Sequence, residues 1–361
     1  MRIACDMSVL EIPLTGVGKA VVGLYEACLK QRNDLEVIAM HRRPLKTKLS
    51  PGFIQQNRGR YLTDKLWRNF ILPSAVKSSG AAWIHFPWNG HVPKLPLNVK
   101  VITTLHDVLP LSIPDYFKNT HDENKYRMRI QQDIHRTHVL FTDSEFSKKE
   151  ILNNFDVPAE PIVLMLASTI DLVETKNELP EHPDTGYFFY VGGYDRRKGL
   201  ETLLRVFARL HSEKKIANKL IIAGDKKFLS QESERHLGIL KSAGAVEELG
   251  YITDRELASR LKTAAALVYP SKYEGFGLPP LEAMSLGCPV ITTRHTSLPE
   301  ICGDAVWYMD PDDEQDFAES LLVLSSDVSR RSELKEKGLK QAAKFSWSKT
   351  AEQFFGQLDK N

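Results

Sequence analysis

Short runs of β-branched and apolar residues alternate along the chain with segments in which apolar residues recur every three or four positions. Runs of the first kind suit strands covered on both faces and the second kind suits helices lying on a sheet, so the alternation predicts parallel sheets with crossover helices. The pattern occurs twice. Strands are expected near residues 2–6, 35–40, 82–86, 100–105, 138–142 and 162–166, and again near 187–191, 219–223, 247–250, 266–269, 289–292 and 305–308. Between the two sets, residues 169–186 are polar, contain proline and follow neither period, which predicts a linker. Leu200, Leu203, Leu204, Phe207 and Leu210 form one apolar stripe opposite Arg205 and Arg209, the mark of a helix packed on a sheet. A last helix is expected over 347–358, opened by Ser346 or Ser348, with Ala351, Phe354, Phe355 and Leu358 on one side.

The 361 residues are 42% hydrophobic and 26% charged, which fits folded domains and excludes disorder and collagen. The longest apolar runs, such as 162–167 and 264–269, have six residues, against the roughly 20 a membrane-spanning helix needs. Asp6 and Glu11 interrupt the N-terminus before an apolar signal core could form, so the chain is expected in the cytoplasm, with Cys5, Cys28, Cys288 and Cys302 reduced. No CxxC pair suggests zinc. Net charge is +2, divided as +4 over residues 1–180 and −2 over the rest. The excess lies in 41–70, where Arg42, Arg43, Lys46, Lys48, Arg58, Arg60, Lys65 and Arg68 accompany one acid, Asp64. Either something anionic docks there or the stretch is a solvated face.

Four places can carry chemistry. The first strand leads into Gly16-Val17-Gly18, a glycine-bearing turn before a helix, whose amides and dipole suit a phosphate. It is neither a Walker A loop nor the full dinucleotide fingerprint, which disfavours an NAD enzyme. In the second half the corresponding turn is Gly192-Gly193-Tyr194-Asp195-Arg196-Arg197-Lys198-Gly199, with cations placed for a diphosphate or simply facing solvent. Strand 266–269 runs into Tyr273-Glu274-Gly275-Phe276-Gly277-Leu278-Pro279-Pro280-Leu281-Glu282. Pro279 or Pro280 is expected to open a helix with Glu282 in its first turn, while Glu274 stays on the loop, its carboxylate outward and the bare glycine amides beside it, an arrangement that reads sugar hydroxyls. Strand 100–105 ends at His106-Asp107, where an imidazole could meet a substrate hydroxyl or serve as a structural residue. Asp310-Pro311-Asp312 imitates a metal-binding pair but reads as helix capping, and Asp184-Thr185-Gly186 is a single copy inside the linker. His135 and His138 lack a third ligand at suitable spacing.

Taken together, these residues resemble the family 4 (group 1) retaining glycosyltransferases of the GT-B fold. Glu274-Gly-Phe-Gly-x-Pro-x-x-Glu282 resembles their E-x7-E motif. Gly16-Val17-Gly18, Thr104-Leu105-His106-Asp107, Ser144-Glu145-Phe146-Ser147, Arg197-Lys198-Gly199, Gly250-Tyr251, Gly287-Cys288-Pro289-Val290 and Phe345-Ser346-Trp347 follow in the family's order, so the likeness covers the whole chain.

The resemblance implies an α/β protein of two Rossmann-like domains, an acceptor domain over 1–170 and a donor domain over 171–345, with a cleft between them and the last helix, 346–361, crossing back to the first. It implies catalytic roles for His106, Glu274, Arg197 and Lys198: His106 beside the reacting sugar, Glu274 on its hydroxyls, the two cations on the diphosphate. Gly16, Gly18 and Arg196 would approach the phosphates, Tyr251 the base, Gly275, Phe276 and Gly277 the sugar through their amides, and Glu282 the ribose. Gly193 departs from members that carry a phosphate-binding arginine there, leaving that charge to Arg196 or Arg197. No cofactor and no metal is called for, since cations and a helix N-terminus can stabilise a leaving diphosphate. The nearest-looking relatives are mannosyltransferases, which points to GDP-mannose rather than a UDP-sugar, and to a lipid-linked or oligosaccharide acceptor of O-antigen or capsule type. No nucleic-acid partner is expected. The basic stretch, with Trp67, Trp83 and Trp88 nearby, fits a peripheral protein at an anionic membrane. A silent nucleotide-sugar-binding scaffold of the same fold is the alternative.

Overall fold

The computed structural model describes residues 1–13, 15–89, 91–170, 186–226 and 229–360. The chain forms two compact units, Met1–Ala167 with Ser346–Asn361, and Ser168–Phe345. Most of the linker expected over 169–186 lies outside the described residues, as does the Asp184-Thr185 pair.

The first unit holds a seven-stranded sheet in the order β3-β2-β1-β4-β5-β6-β7, from β1 (Arg2–Asp6), β2 (Glu36–His41), β3 (Phe53–Asn57), β4 (Trp83–Phe86), β5 (Lys100–Thr104), β6 (Val139–Thr142) and β7 (Ile162–Val163). The second holds six strands in the order β10-β9-β8-β11-β12-β13, from β8 (Phe188–Val191), β9 (Leu220–Ala223), β10 (Val246–Gly250), β11 (Ala266–Tyr269), β12 (Val290–Thr292) and β13 (Trp307–Tyr308). Every pairing is parallel. Each order is the doubly wound one, reversing between β1 and β4 in one unit and between β8 and β11 in the other. The loops leaving those strands frame the places where such sheets bind ligands.

Twelve strands lie where the apolar runs predicted them. The thirteenth, β3, was not expected. It is an edge strand inside the basic stretch, and of Phe53-Ile54-Gln55-Gln56-Asn57 only Phe53 is buried, so its pairing is made by backbone bonds to β2 and leaves little apolar signal.

The helix Leu200–Ser212 buries Leu203, Leu204, Phe207 and Leu210 against the second sheet. The last helix, Trp347–Leu358, packs in the first unit. Its Phe354 meets Tyr25 and Phe141 at ring distances of 6.0 and 5.3 Å, and Thr350 Oγ1 donates to the Met165 carbonyl at 2.5 Å. Among the described residues, no helix is long and apolar enough to cross a membrane.

Candidate active site

In the second unit the chain leaves β8 through Gly192 and makes a single 3-10 turn, Arg196–Lys198, capped by Asp195, whose carboxylate accepts from the Arg197 amide. Gly199 ends the turn at φ +70°, and a Cβ there would stand 2.2 Å from the Pro270 carbonyl oxygen, so only glycine lets this turn press against the loop leaving β11. Backbone and side chain join the loops: the Lys272 amide and Ser271 Oγ both donate to the Arg197 carbonyl, at 2.8 and 3.2 Å.

That seam brings three of the expected residues together. Lys198 Nζ donates to Glu274 Oε1 at 2.6 Å and to the Tyr269 hydroxyl at 2.8 Å. Tyr269 in turn donates to Glu274 Oε1 at 2.8 Å, and Ser271 Oγ to the same oxygen at 2.5 Å. Arg197 donates to the Tyr273 carbonyl and lies 3.8 Å from Glu274 Oε2. Burial works to raise the Glu274 pKa, but the charges of Lys198 and Arg197 and the hydrogen bonds outweigh it and hold the carboxyl below its usual range. The expected outward carboxylate is therefore corrected. Glu274 is 8% exposed and turns inward, because two cations and two hydroxyls lie on the inner side of the loop.

The rest of the loop is pinned from the segment after β12. The Glu274 amide donates to Thr296 Oγ1, and Ser297 Oγ bonds to the carbonyls of Glu274 and Phe276. Gly275, Phe276 and Gly277 are buried, and the Phe276 ring meets Phe345 edge-on at 6.2 Å. Gly277, at φ +115°, opens the helix Leu278–Ser285. The first helical position falls to Leu278, so Glu282 is the fifth residue of the helix and not in its first turn as expected. It is 2% exposed, with Oε1 accepting from Thr169 Oγ1 at 2.8 Å, so dipole complementarity does not account for it. Arg196 is exposed at the start of the 3-10 turn. Tyr251, 63% exposed, follows the outer strand β10, two strands from β8.

His106, Gly16 and Gly18 belong to the first unit. Gly16 is exposed and begins the helix Gly16–Gln31, while the Gly18 amide is occupied by the Thr15 hydroxyl that caps it, at 3.4 Å. His106 is 9% exposed and both ring nitrogens are engaged, Nδ1 with Asp143 Oδ2 and Nε2 with the Pro87 carbonyl.

The basic stretch also needs correcting. Arg68 is 2% exposed and paired with Asp6 at 2.6 Å and Asp64 at 2.9 Å, and Arg42 pairs with Glu11 at 3.6 Å. Two acids from the first strand and its exit thus join Asp64, leaving Arg43, Lys46, Lys48, Arg58, Arg60 and Lys65 exposed. Lys46 and Lys48 line an open concavity of about 530 Å³ with His41, Gln55 and Asn57. Asp310 and Asp312 sit in a turn in which Asp310 accepts from the Asp312 amide, and Asp313 caps the helix Glu314–Ser326.

Tyr269, Ser271, Thr296 and Ser297 went unrecognised in the sequence. The available signal was the pair of hydroxyl residues flanking Pro270 just before Glu274. Asp143, the partner of His106, was also missed, although it immediately precedes Ser144-Glu145-Phe146-Ser147.

The family model for glycosyl transferases group 1 matches residues 173–341. O-antigen chain mannosyltransferase B of Escherichia coli is 33% identical over 387 residues, covering 96% of this chain and 96% of that one. O-antigen chain mannosyltransferase RfbU of Salmonella typhimurium is 26% identical over 230 residues, covering 63% of this chain and 61% of its own. The solved structure of sucrose-phosphate synthase from Thermosynechococcus elongatus matches with a TM-score of 0.75 at 19% identity, over 99% of this chain and 98% of that one, a likeness of fold. With two doubly wound units, the cation and carboxylate cluster at one switch point, and a full-length relative of this kind, the chain belongs to the group 1 glycosyl transferases of the GT-B fold and is a mannosyltransferase-like glycosyltransferase.

Proposed function

We propose that the protein transfers mannose from GDP-mannose, with retention of configuration and without a metal, to a lipid-linked or oligosaccharide acceptor in the assembly of an O-antigen-like surface polysaccharide. The observation that carries this reading is the Arg197, Lys198 and Glu274 cluster at the carboxyl edge between β8 and β11, in a chain that shares 33% identity with an O-antigen chain mannosyltransferase. Breaking the bond from sugar C1 to the diphosphate leaves the bonding electron pair, and so one additional negative charge, on the departing phosphate oxygen, and Arg197 and Lys198 supply fixed positive charge for it. The acceptor oxygen bonds to C1 on the same face, and its proton passes to the departing phosphate oxygen. A covalent route through Glu274 is disfavoured, because Oε1 already accepts three hydrogen bonds and a carboxylate so held is a poor nucleophile. Glu274 instead meets sugar hydroxyls, and Glu282 the ribose, with Gly275, Phe276 and Gly277 contributing amides, Tyr251 stacking near the base, and Gly16, Gly18 and Arg196 approaching the phosphates. The exposed cations of residues 43–65 favour work at an anionic, cytoplasmic membrane surface.

Purified protein is offered GDP-mannose, UDP-glucose and UDP-N-acetylglucosamine in EDTA. Slow hydrolysis of GDP-mannose alone, and an α-linked product once a lipid-diphosphate glycan is added, are expected. A thermal shift with a UDP-sugar but none with GDP-mannose would overturn the donor, and restoration of lost activity by Mn²⁺ would overturn metal independence.

A further inference from the structure

At the carboxyl edge of the first sheet, three successive strand ends converge on one imidazole. His106, after β5, places Nδ1 2.6 Å from Asp143 Oδ2, after β6, and Nε2 2.9 Å from the Pro87 carbonyl oxygen, after β4. A carbonyl oxygen and a carboxylate oxygen can only accept, so each ring nitrogen faces an acceptor and the ring is an imidazolium. The backbone is held as well: the His106 amide donates to Asn89 Oδ1 at 3.0 Å, and Asn89 Nδ2 donates to the Asp107 carbonyl at 2.8 Å. Asp143 is 4% exposed, and its second oxygen, Oδ1, has no hydrogen-bond partner. With His106, His85, Thr104 and Thr350, Asp143 lines a cavity of about 20 Å³, the room of one water molecule.

The titratable groups facing the ring are Asp143, Asp107 and His85. His85, on β4, is bonded to the Tyr25 hydroxyl and to Thr104 Oγ1, both at 2.8 Å, and burial with the neighbouring His106 charge pushes it down to about 3, so it stays neutral. The helix Gly16–Gln31 brings Ala20, Val21 and Leu24 to this cavity, and the last helix brings Thr350. Burial opposes charge on His106, but Asp143 more than offsets it, aided by the Pro87 carbonyl and Asp107, and its pKa rises to about 9.

We propose that Asp143 is a positioning residue for glycosyl transfer, holding His106 as a fixed cation whose Nε2–H can exchange the Pro87 carbonyl for an oxygen of the donor but cannot accept a proton from it. This rests on the proposed function and on the place beside the reacting sugar that the family resemblance implies for His106. It makes His106 an electrostatic donor and not a general base, consistent with a departing phosphate that itself takes the acceptor's proton.

The test pairs two readouts on the full chain: ring ¹⁵N NMR titration of His106, which needs no substrate, and the pH profile of kcat/KM for GDP-mannose hydrolysis. Wild type is expected to keep both ring nitrogens protonated through pH 8. Asp143→Asn should titrate about 1–3 pH units lower and Asp143→Glu should restore the wild-type value. The alkaline limb of kcat/KM should move with it, making Asp143→Asn about tenfold slower than wild type at pH 8. A wild-type ring that is neutral at pH 7 overturns the proposal, and that measurement stands even where the variant fails to fold. A shifted ring titration with an unchanged rate profile also overturns it. A chain that hydrolyses no nucleotide-sugar at any pH defeats the proposed function instead, and the ring titration still decides whether Asp143 holds the charge.

Discussion

Lys198 sits in the seam between the turn after β8 and the loop after β11. Its side chain is 14% exposed, and its ammonium spends its bonds on Glu274 and Tyr269, both inside the protein. Removing it leaves the Glu274 carboxylate buried without its nearest counter-charge, so Lys198→Ala should lower turnover by about 10² or more, and Glu274→Ala similarly. Near-wild-type kcat in either would remove them from the reaction. Tyr269→Phe deletes one of three bonds to the same oxygen and should cost less, with kcat falling while the fold is kept, because the ring remains in place. His106 offers a check on stability. Its folded pKa, about 9, lies above the unfolded value of 6.5, so its contribution is complete below pH 6.5 and disappears as the pH climbs through 9. The difference in Tm between wild type and His106→Gln should accordingly narrow over that interval, and a difference that stayed constant would mean the ring is neutral in the fold.

At the scale of elements, the alternation of apolar runs and helical periods was enough to place twelve of the strands; central ones such as β9 and β11 are buried throughout and leave little room for polar residues, whereas the edge strand β10 was placed although none of its residues is buried. β3 escaped because an edge strand with one buried residue carries no such signature. In the candidate site, the residue types and their spacing singled out Arg197, Lys198 and Glu274, which the fold brings together, but not their direction. Whether a loop carboxylate faces solvent or an inner lysine depends on how two loops pack, and that depends on residues with no chemistry of their own. Gly199 is the clearest case. Gly199→Ala would force a left-handed conformation on a residue with a Cβ and drive that atom to within 2.2 Å of the Pro270 oxygen, so the turn must withdraw from the loop after β11. Weaker donor binding together with a lower Tm is expected. Retained affinity would show that the contact between Lys198 and Glu274 does not depend on this seam.

Over the whole molecule, net charge is small and its distribution is what matters. The surplus of the first half sits on one exposed stretch, but Arg42 and Arg68 are spoken for by buried acids, and replacing either would strand a carboxylate instead of testing the surface. The informative variant therefore changes Arg43, Lys46, Lys48 and Lys65, all exposed, to Ser. Each basic residue near an anionic bilayer contributes about 1 kcal/mol, over a reach of about 8 Å at physiological salt, so four of them amount to a large change in partitioning with no change in the fold. Wild type should co-sediment with vesicles containing phosphatidylglycerol and be released by 1 M salt, roughly the ionic strength at which screening falls to about 3 Å. The quadruple variant should stay in the supernatant and still hydrolyse GDP-mannose at the wild-type rate, since Lys198 and Glu274 lie in the other unit. Vesicle binding by the variant equal to that of wild type would make the stretch a solvated face and move the search for the membrane contact elsewhere on the protein.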